Sequence, residues 1–482
     1  MASGGSVIGK NIVWLFLSQI ATWLISVVLL VIVPDRFGDE NYGKISFAIA
    51  FMGFFTLIGM LGTYSFLVRS IARDRSTVGP YIFNAILLKI SLTIVLAAAA
   101  LGAARAFGYS SETMTLLAIG CGVMLCSLLT DTLLAGLAGM ERMGRPAMWS
   151  VVQIYVAGAA GLIVVLNGGG VVAYAAAGAM AGLIPVAANT ILLWPHLRGH
   201  LRVDFRLWKV IVLGGVPLLA LSGLNLIYGS IDIPILKSIS GNDAVGWYAL
   251  AYRWVSMPAF ISSIVVTAFL PSLSNLAVQS AEAFSSLTNR ALRLVGFVSI
   301  PASVGIALTA SELLTMIYGA KYERAIPLMQ ILPMHVPLAT MGTVLATALI
   351  AADRQRKYLI VAGIAAIFNP ALNVGLIHVT QNAFGNGAVG AAIMTVATEV
   401  FIMAGALHFR VQGVMDRNTV GYLMRCLAAA LLMIPGVWLV RDTNIVVMAV
   451  VGAVMYSAAS FVVRTVDVAE VKRMSSRLLN RG

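Results

Sequence analysis

The sequence predicts an all-α polytopic membrane protein of about fourteen transmembrane helices, and three observations predict it. Of its 482 residues, 60% are hydrophobic and 11% charged, whereas an ordinary soluble domain is about a quarter charged. Apolar runs of about twenty residues follow one another from Ile12 to Val463, each long enough to cross a hydrocarbon core of roughly 30 Å. The runs are uninterrupted and lack the polar/apolar alternation of a barrel strand. In lipid only helices and closed barrels satisfy their own backbone, so the runs are helices.

The spans fall near 12–33, 43–66, 81–104, 113–139, 147–166, 171–194, 209–236, 244–270, 292–317, 325–351, 358–379, 387–408, 419–440 and 444–463. Span 1 follows MASGGSVIGK, which lacks the short apolar core and cleavage site of a signal peptide, so it reads as an uncleaved signal-anchor. An even number of spans puts both termini on one side. The joints on that side, termini included, hold roughly 22 Lys and Arg against roughly 7 opposite, which assigns the richer side to the cytoplasm. RSIARDR (69–75) and HLRGHLRVDFRLWK (196–209) are among the richest pieces. The net charge of +13 is therefore explained by orientation and anionic lipid, and nucleic acid is not an expected partner. The tail VDVAEVKRMSSRLLNR places Val468, Val471, Met474 and Leu478 near helical spacing between basic residues, the pattern of an interfacial helix. Cys121, Cys126 and Cys426 form no CxxC, no histidines cluster, and neither metal nor cofactor is expected.

An internal repeat organises the chain. FGDENYGKISFAIAF (37–51) opens span 2 and SGNDAVGWYALAYRW (240–254) opens span 8; MERMGR (140–145) closes span 4 and ADRQRK (352–357) closes span 10. Six spans therefore repeat in one orientation, the parallel repeat of many transporters. This gives an N-terminal lobe over 1–200, a C-terminal lobe over 201–412, two appended spans over 413–464 and the tail over 465–482.

Two polar stripes occupy equivalent spans. Ser18, Thr22 and Ser26 recur every four residues in span 1, and Ser222, Asn225, Gly229 and Asp232 share one face of span 7. Such stripes serve as glue between helices or line a hydrated cavity between lobes, and the Asp232 carboxylate favours the cavity. A charge at the bilayer centre costs on the order of 2.5–3.5 kcal/mol, so buried ionisable residues are candidates by default. Arg253, about 15 Å into span 8 at ~1.5 Å per residue, is the leading one. Lys89, Glu399 and His335 reach comparable depth, Asp131 lies nearer the cytoplasmic face, and snorkelling to the interface accounts for Lys237 and Arg425. Arg253 either pairs with Asp232 or Glu399 or holds an anionic group in water; a guanidinium suits phosphate because it meets two oxygens at once and stays charged. Glu399, Asp232 and Asp131 are the candidates for coupling to H⁺ or Na⁺. Pro217, Pro234, Pro301, Pro333, Pro337 and Pro370 favour kinks in their spans.

The two repeated phrases, with GTYSFLVRSIARDR, LPSLSNL, YGAKYERAIPLMQIL, FNPALNVGLI and GNGAVGAAIMTVATE, run in an order that resembles the Wzx-type polysaccharide flippases of the multidrug/oligosaccharidyl-lipid/polysaccharide exporter superfamily. The resemblance implies two six-helix bundles facing in a V, a MATE-like fold, with spans 13 and 14 appended. It implies movement of an undecaprenyl-pyrophosphate-linked oligosaccharide from the inner to the outer leaflet of a bacterial inner membrane. A cationic cavity lined by spans 1, 2, 7 and 8 is implied too, where Arg253, Lys89, Asp232, Asn225, Ser18 and Thr22 would meet substrate. Membrane lipids, a polysaccharide polymerase and a chain-length regulator are the further partners it suggests. Span 1 departs from sibling families by carrying no charge between Asn11 and Val33. A cation-coupled small-molecule exporter is the alternative within transport. A glycan polymerase or ligase is disfavoured because no outer joint exceeds about a dozen residues, too few for the loop such chemistry needs.

Overall fold

The computed structural model describes residues 4–259, 269 and 272–465, and every regular element among them is helical. The interfacial tail predicted beyond Thr465 lies outside the described residues. Spans 1 and 2 share one helical run, α1 (Gly4–Met60). Its 57 residues, if straight, would reach about 85 Å at roughly 1.5 Å per residue, far beyond a membrane. The run is broken at Gly38, with φ 74° and ψ 175°. That backbone region is accessible almost only to glycine. No atom beyond the immediate neighbours lies within 4 Å of where a Cβ would sit, so the constraint is conformational rather than steric crowding. The same break recurs where the sequence phrase recurs. In α9 (Asp232–Ser256), Gly241 adopts φ 86° and ψ −172°, again with open space around its missing Cβ.

Three further pairs of left-handed residues keep the same order along the two halves. Gly108 and Gly319 follow spans 3 and 9, Glu141 and Asp353 follow spans 4 and 10, and Gly168 and Gly385 follow spans 5 and 11. At the middle pair the backbone closes in the same way. Arg142 N–H donates to the Leu137 carbonyl at 2.9 Å and Arg354 N–H to the Leu349 carbonyl at 2.8 Å, each satisfying a terminal carbonyl of the preceding helix.

The chain divides into two compact units, the first ending at Lys237 and the second starting at Ser238. In the first unit, α1 is followed by α2 (Thr63–Arg73), α3 (Val78–Ala106), α4 (Ser111–Gly139), α5 (Gly144–Leu166), α6 (Val171–Ala181), α7 (Leu183–Leu197) and α8 (Phe205–Ser230). Leu67, Ile71, Ile82, Leu133 and Leu193 form one buried cluster, and Met52, Leu96, Leu117 and Leu128 anchor another. The repeat assigns span 7 to the second half, yet α8 packs on α1, α2 and α3. Its Gly215 explains how: a Cβ there would lie 2.2 Å from the Leu61 carbonyl oxygen, so only glycine permits the approach.

In the second unit, α9 continues into α10 (Ala281–Leu308), α11 (Ala310–Tyr318), α12 (Ile326–Ile331), α13 (His335–Ala351), α14 (Gln355–Phe384) and α15 (Gly387–His408). The appended spans are α16 (Arg417–Leu431) with α17 (Met433–Leu439), and α18 (Ile445–Val462). Cys426, Met433 and Met448 join Leu292, Val295 and Leu345 in one buried cluster, and the Tyr456 hydroxyl donates to the Phe297 carbonyl at 2.8 Å. Spans 13 and 14 thus extend the core of this unit through α10.

Eleven runs among the described residues are long and apolar enough to cross a membrane, and α8 and α9 occupy the positions of spans 7 and 8. Several edges differ from the hydropathy reading. Span 9, expected over 292–317, begins at Ala281 because Ser280 caps it, accepting the Ala283 N–H at 3.2 Å, and it stops at Leu308. Span 10, expected as one helix over 325–351, is interrupted by a short 3₁₀ turn, Leu332–Met334, which contains Pro333. The Ser303 hydroxyl donates to the freed Pro333 carbonyl. Span 6 divides into α6 and α7 at Gly182.

Candidate functional site

Two of the cations that the span positions put near mid-membrane, Lys89 and Arg253, have different surroundings. Lys89 lies in α3 with no exposed surface. The chain opposite is a second interruption of span 2, where α1 stops at Met60 and Leu61 and Gly62 both turn left-handed before α2 begins. A helix end leaves carbonyls without partners. Here the Lys89 ammonium donates to the Gly59 carbonyl at 2.7 Å and to the Met60 carbonyl, while the Thr63 hydroxyl donates to the Met60 carbonyl at 3.0 Å. A cation at a helix C-terminus also opposes the negative end of the helix dipole. Asp131 on α4 is half-buried, and its charge acts on the same ammonium. Lys89 therefore closes a broken helix.

Arg253 follows Gly241 by twelve positions, about 18 Å of helix at roughly 1.5 Å per residue. The α9 stretch from Ala244 to Ala251 is buried on every side, and Arg253 is exposed two residues later. Its neighbours hold the helix in place. The Tyr248 hydroxyl is 2.8 Å from the Thr395 hydroxyl, Tyr252 stacks on His335 with ring centroids 5.6 Å apart, and the Trp254 indole N–H donates to the Tyr318 hydroxyl at 3.0 Å. Arg253 itself has no hydrogen bond, ion pair or ring partner among the described residues. Of the sequence alternatives for this residue, the ion pair with a carboxylate is not formed here.

The remaining candidates are dispersed. Asp232 is 2% exposed in the first turn of α9, where a carboxylate meets the positive end of the helix. Glu399 is half-buried on α15, between Thr398, whose hydroxyl accepts the Asn369 amide at 2.8 Å, and an exposed Val400. Glu399 makes no ion pair among the described residues. Thr22 is half-buried on α1, and its carbonyl accepts the Ser26 hydroxyl at 2.8 Å. The side chains of Ser18, Ser222 and Asn225 lie outside the described residues. His335 begins α13 with both ring nitrogens buried and unbonded.

Three features escaped the sequence reading. Lys237, expected to snorkel, sits 3.9 Å above the Phe47 ring and 4.7 Å from the Tyr109 ring, a cation–π cage. The two outer joints are pinned by different chemistry. Lys44 bridges Glu40 at 3.0 Å and Glu112 at 2.8 Å in the first half. In the second, Arg324 lies 5.3 Å from the Trp247 ring and donates to the Gly385 carbonyl at 2.9 Å. Lys44 and Trp247 each follow their breaking glycine by six positions, a signal the aligned phrases already contained. The third is the Leu61–Gly62 break, foreshadowed only by the glycines of IGMLGTY.

Outside the spans, two carboxyls are held below the usual carboxylate range. Asp416 caps α16; a hydrogen bond from the Thr419 side chain acts first, and the Thr419 N–H adds another at 2.8 Å. Asp74 accepts the Ser76 hydroxyl at 2.7 Å and the Ser76 N–H at 2.9 Å.

Comparison with known proteins gives consistent results. Residues 8–277 match the family described as polysaccharide biosynthesis protein. An uncharacterized membrane protein in the cps region of Klebsiella pneumoniae is 25% identical over 204 residues, 42% of this chain and 40% of its own length. The lipopolysaccharide biosynthesis protein WzxC of Escherichia coli K12 is 24% identical over 141 residues, 29% of this chain and 28% of its own. The chain thus spans well under half the length of these curated relatives. Among solved structures, the lipid II flippase MurJ in an inward closed conformation superimposes with a TM-score of 0.74 at 15% identity, covering 93% of this chain and 98% of that one. An inward-facing multidrug resistance MATE family transporter of the MOP superfamily gives 0.61 at 18% identity, covering 84% and 96%. These likenesses establish a MATE-like polytopic fold.

Proposed function

Because the chain belongs to the polysaccharide biosynthesis protein family, we propose that it is a flippase carrying a lipid-linked saccharide across a bacterial inner membrane. The specific cargo is an oligosaccharide on undecaprenyl pyrophosphate, moved by alternating access through a cationic cavity. The observation that carries this reading is Arg253, exposed and unpaired among the described residues, at a position the span reading puts near mid-membrane. Facing hydrocarbon there would cost several kcal/mol on the insertion scale and more in simulation, and no partner among the described residues offsets it. Water does offset it, so Arg253 marks a hydrated path, and an anionic group passing along that path gains from the guanidinium what it loses in hydration.

The division of labour follows from partition. The polyprenyl chain stays in lipid, where it costs nothing, while pyrophosphate and sugars take the hydrated route. Lys89 serves the same end indirectly by keeping the broken span 2 intact. Glu399, half-buried and without an ion pair, is the residue best suited to take up H⁺ or Na⁺ as cargo leaves, with Asp232 and Asp131 as further coupling positions. Both termini lie in the cytoplasm, and the polymerase and chain-length regulator take the product on the far side.

The test is export of polymer in a deletion strain complemented with variants of matched membrane abundance. Arg253→Glu and Arg253→Ala stop export and leave lipid-linked repeat units on the cytoplasmic leaflet, and Arg253→Lys retains part of it. Undiminished export by Arg253→Glu contradicts the assignment.

A further inference from the structure

The first unit carries a basic cavity of its own. A cavity of about 340 Å³ opens between the α2–α3 joint and the α7–α8 joint, lined by Arg75, Ser76, Gly79, His196, Arg198 and His200 among others, with no Asp or Glu in its lining. Both joints are on the face that the Lys and Arg count assigns to the cytoplasm. We propose that this cavity binds the phosphate of an anionic membrane lipid from the cytoplasmic leaflet.

Four observations carry the proposal. The charge is concentrated and available. Arg75 spends one nitrogen on Glu141 at 3.3 Å, which leaves further donors, and no bond is formed by the Arg198 guanidinium among the described residues. Next, His196 Nδ1 is buried with no hydrogen-bond partner, although it borders the cavity. His200 Nδ1 lies 3.1 Å from the His196 carbonyl oxygen, which ties the His200 ring to the same wall. The cavity is also built on a close approach, since a Cβ on Gly79 would lie 2.4 Å from His200 Nδ1 and 2.5 Å from the His196 carbonyl oxygen. Gly79 stands in the first turn of the 29-residue α3, whose positive dipole end faces the same space.

The fourth observation selects lipid over a free ion. Trp194, Leu201, Val203 and Phe205 are all more than half exposed. Along the α7–α8 joint that supplies one wall of the cavity they are interspersed with Arg198, Arg202 and Arg206, the composition of a segment seated at the headgroup level. A phosphate reached from that depth is attached to an acyl chain.

Native mass spectrometry of the purified full-length protein tests this, with phosphatidylglycerol and phosphatidylcholine as probes. Wild type retains phosphatidylglycerol several-fold better than phosphatidylcholine. Arg75→Gln and Arg198→Gln each remove most of that preference at unchanged melting temperature, while Arg417→Gln, which deletes one charge from another basic joint, keeps it. Equal losses in all three variants, or none in the first two, overturn the site. Retention that inorganic phosphate in large excess abolishes, together with equally tight binding of that ion to delipidated protein, overturns the lipid assignment. The result is independent of whether Arg253→Glu stops export.

Discussion

The two halves each carry a cation that the span reading puts near the middle of the membrane, and the two have opposite surroundings. In the first, Lys89 is wholly buried and spends its protons on the carbonyls of a broken helix. In the second, Arg253 is exposed and unpaired among the described residues. The repeat makes the contrast informative, because Arg253 follows Gly241 at the distance by which Ala50 follows Gly38. Both copies hold the breaking glycine; only the second holds a guanidinium. Depth alone therefore does not identify a site. What separates the two cations is whether the protein already supplies their partners.

Stability measurements break this comparison most directly. Lys89→Met strands the Gly59 carbonyl and leaves the Met60 carbonyl only the Thr63 hydroxyl, and hydrogen bonds to a charged group are worth about 1.5–3 kcal/mol each. The variant should melt well below wild type in detergent, while Arg253→Met melts with it. Comparable losses in both would return Arg253 to a packing role.

A smaller and symmetrical effect is expected at the breaks. Gly38→Ala and Gly241→Ala each force an alanine into a backbone region that costs of order 1–3 kcal/mol. Unfolding of the two purified variants should shift by similar amounts. A large loss at one and none at the other would mean that the aligned phrases do not share a structural cause.

The smallest effect belongs to the second half alone. The Asp416 carboxyl is depressed in the folded protein, so the stability it contributes is fully present above its unfolded value of about 3.9 and is lost as pH falls through the folded value. Melting temperature against pH should drop more gently below about pH 4 in Asp416→Asn than in wild type. Identical curves would remove the cap from the account.

Hydropathy alone was enough to identify the helical class and nearly all spans, because lipid forbids other backbone solutions. The repeat was legible for a related reason: a glycine confined to one backbone region leaves a mark that drift in the surrounding side chains does not erase. The internal ends were harder. Ser280 moves the start of span 9 outward through a single cap, and Pro333 divides span 10 without lowering its hydropathy. The role of Lys89 was illegible, since its partners lie about thirty residues away in sequence on another span. Its depth suggested a site, and only the structure shows the carbonyls that it bonds. Arg253 was the reverse case, singled out by depth and without a partner among the described residues.

The account rests on water reaching Arg253. Arg253→Cys, made in a background with Cys121, Cys126 and Cys426 replaced, should react with a membrane-impermeant thiol reagent applied to oriented membrane vesicles, from at least one face. Labelling at the rate of an aqueous thiol is the predicted result, and protection from both faces in every condition that supports transport would contradict it.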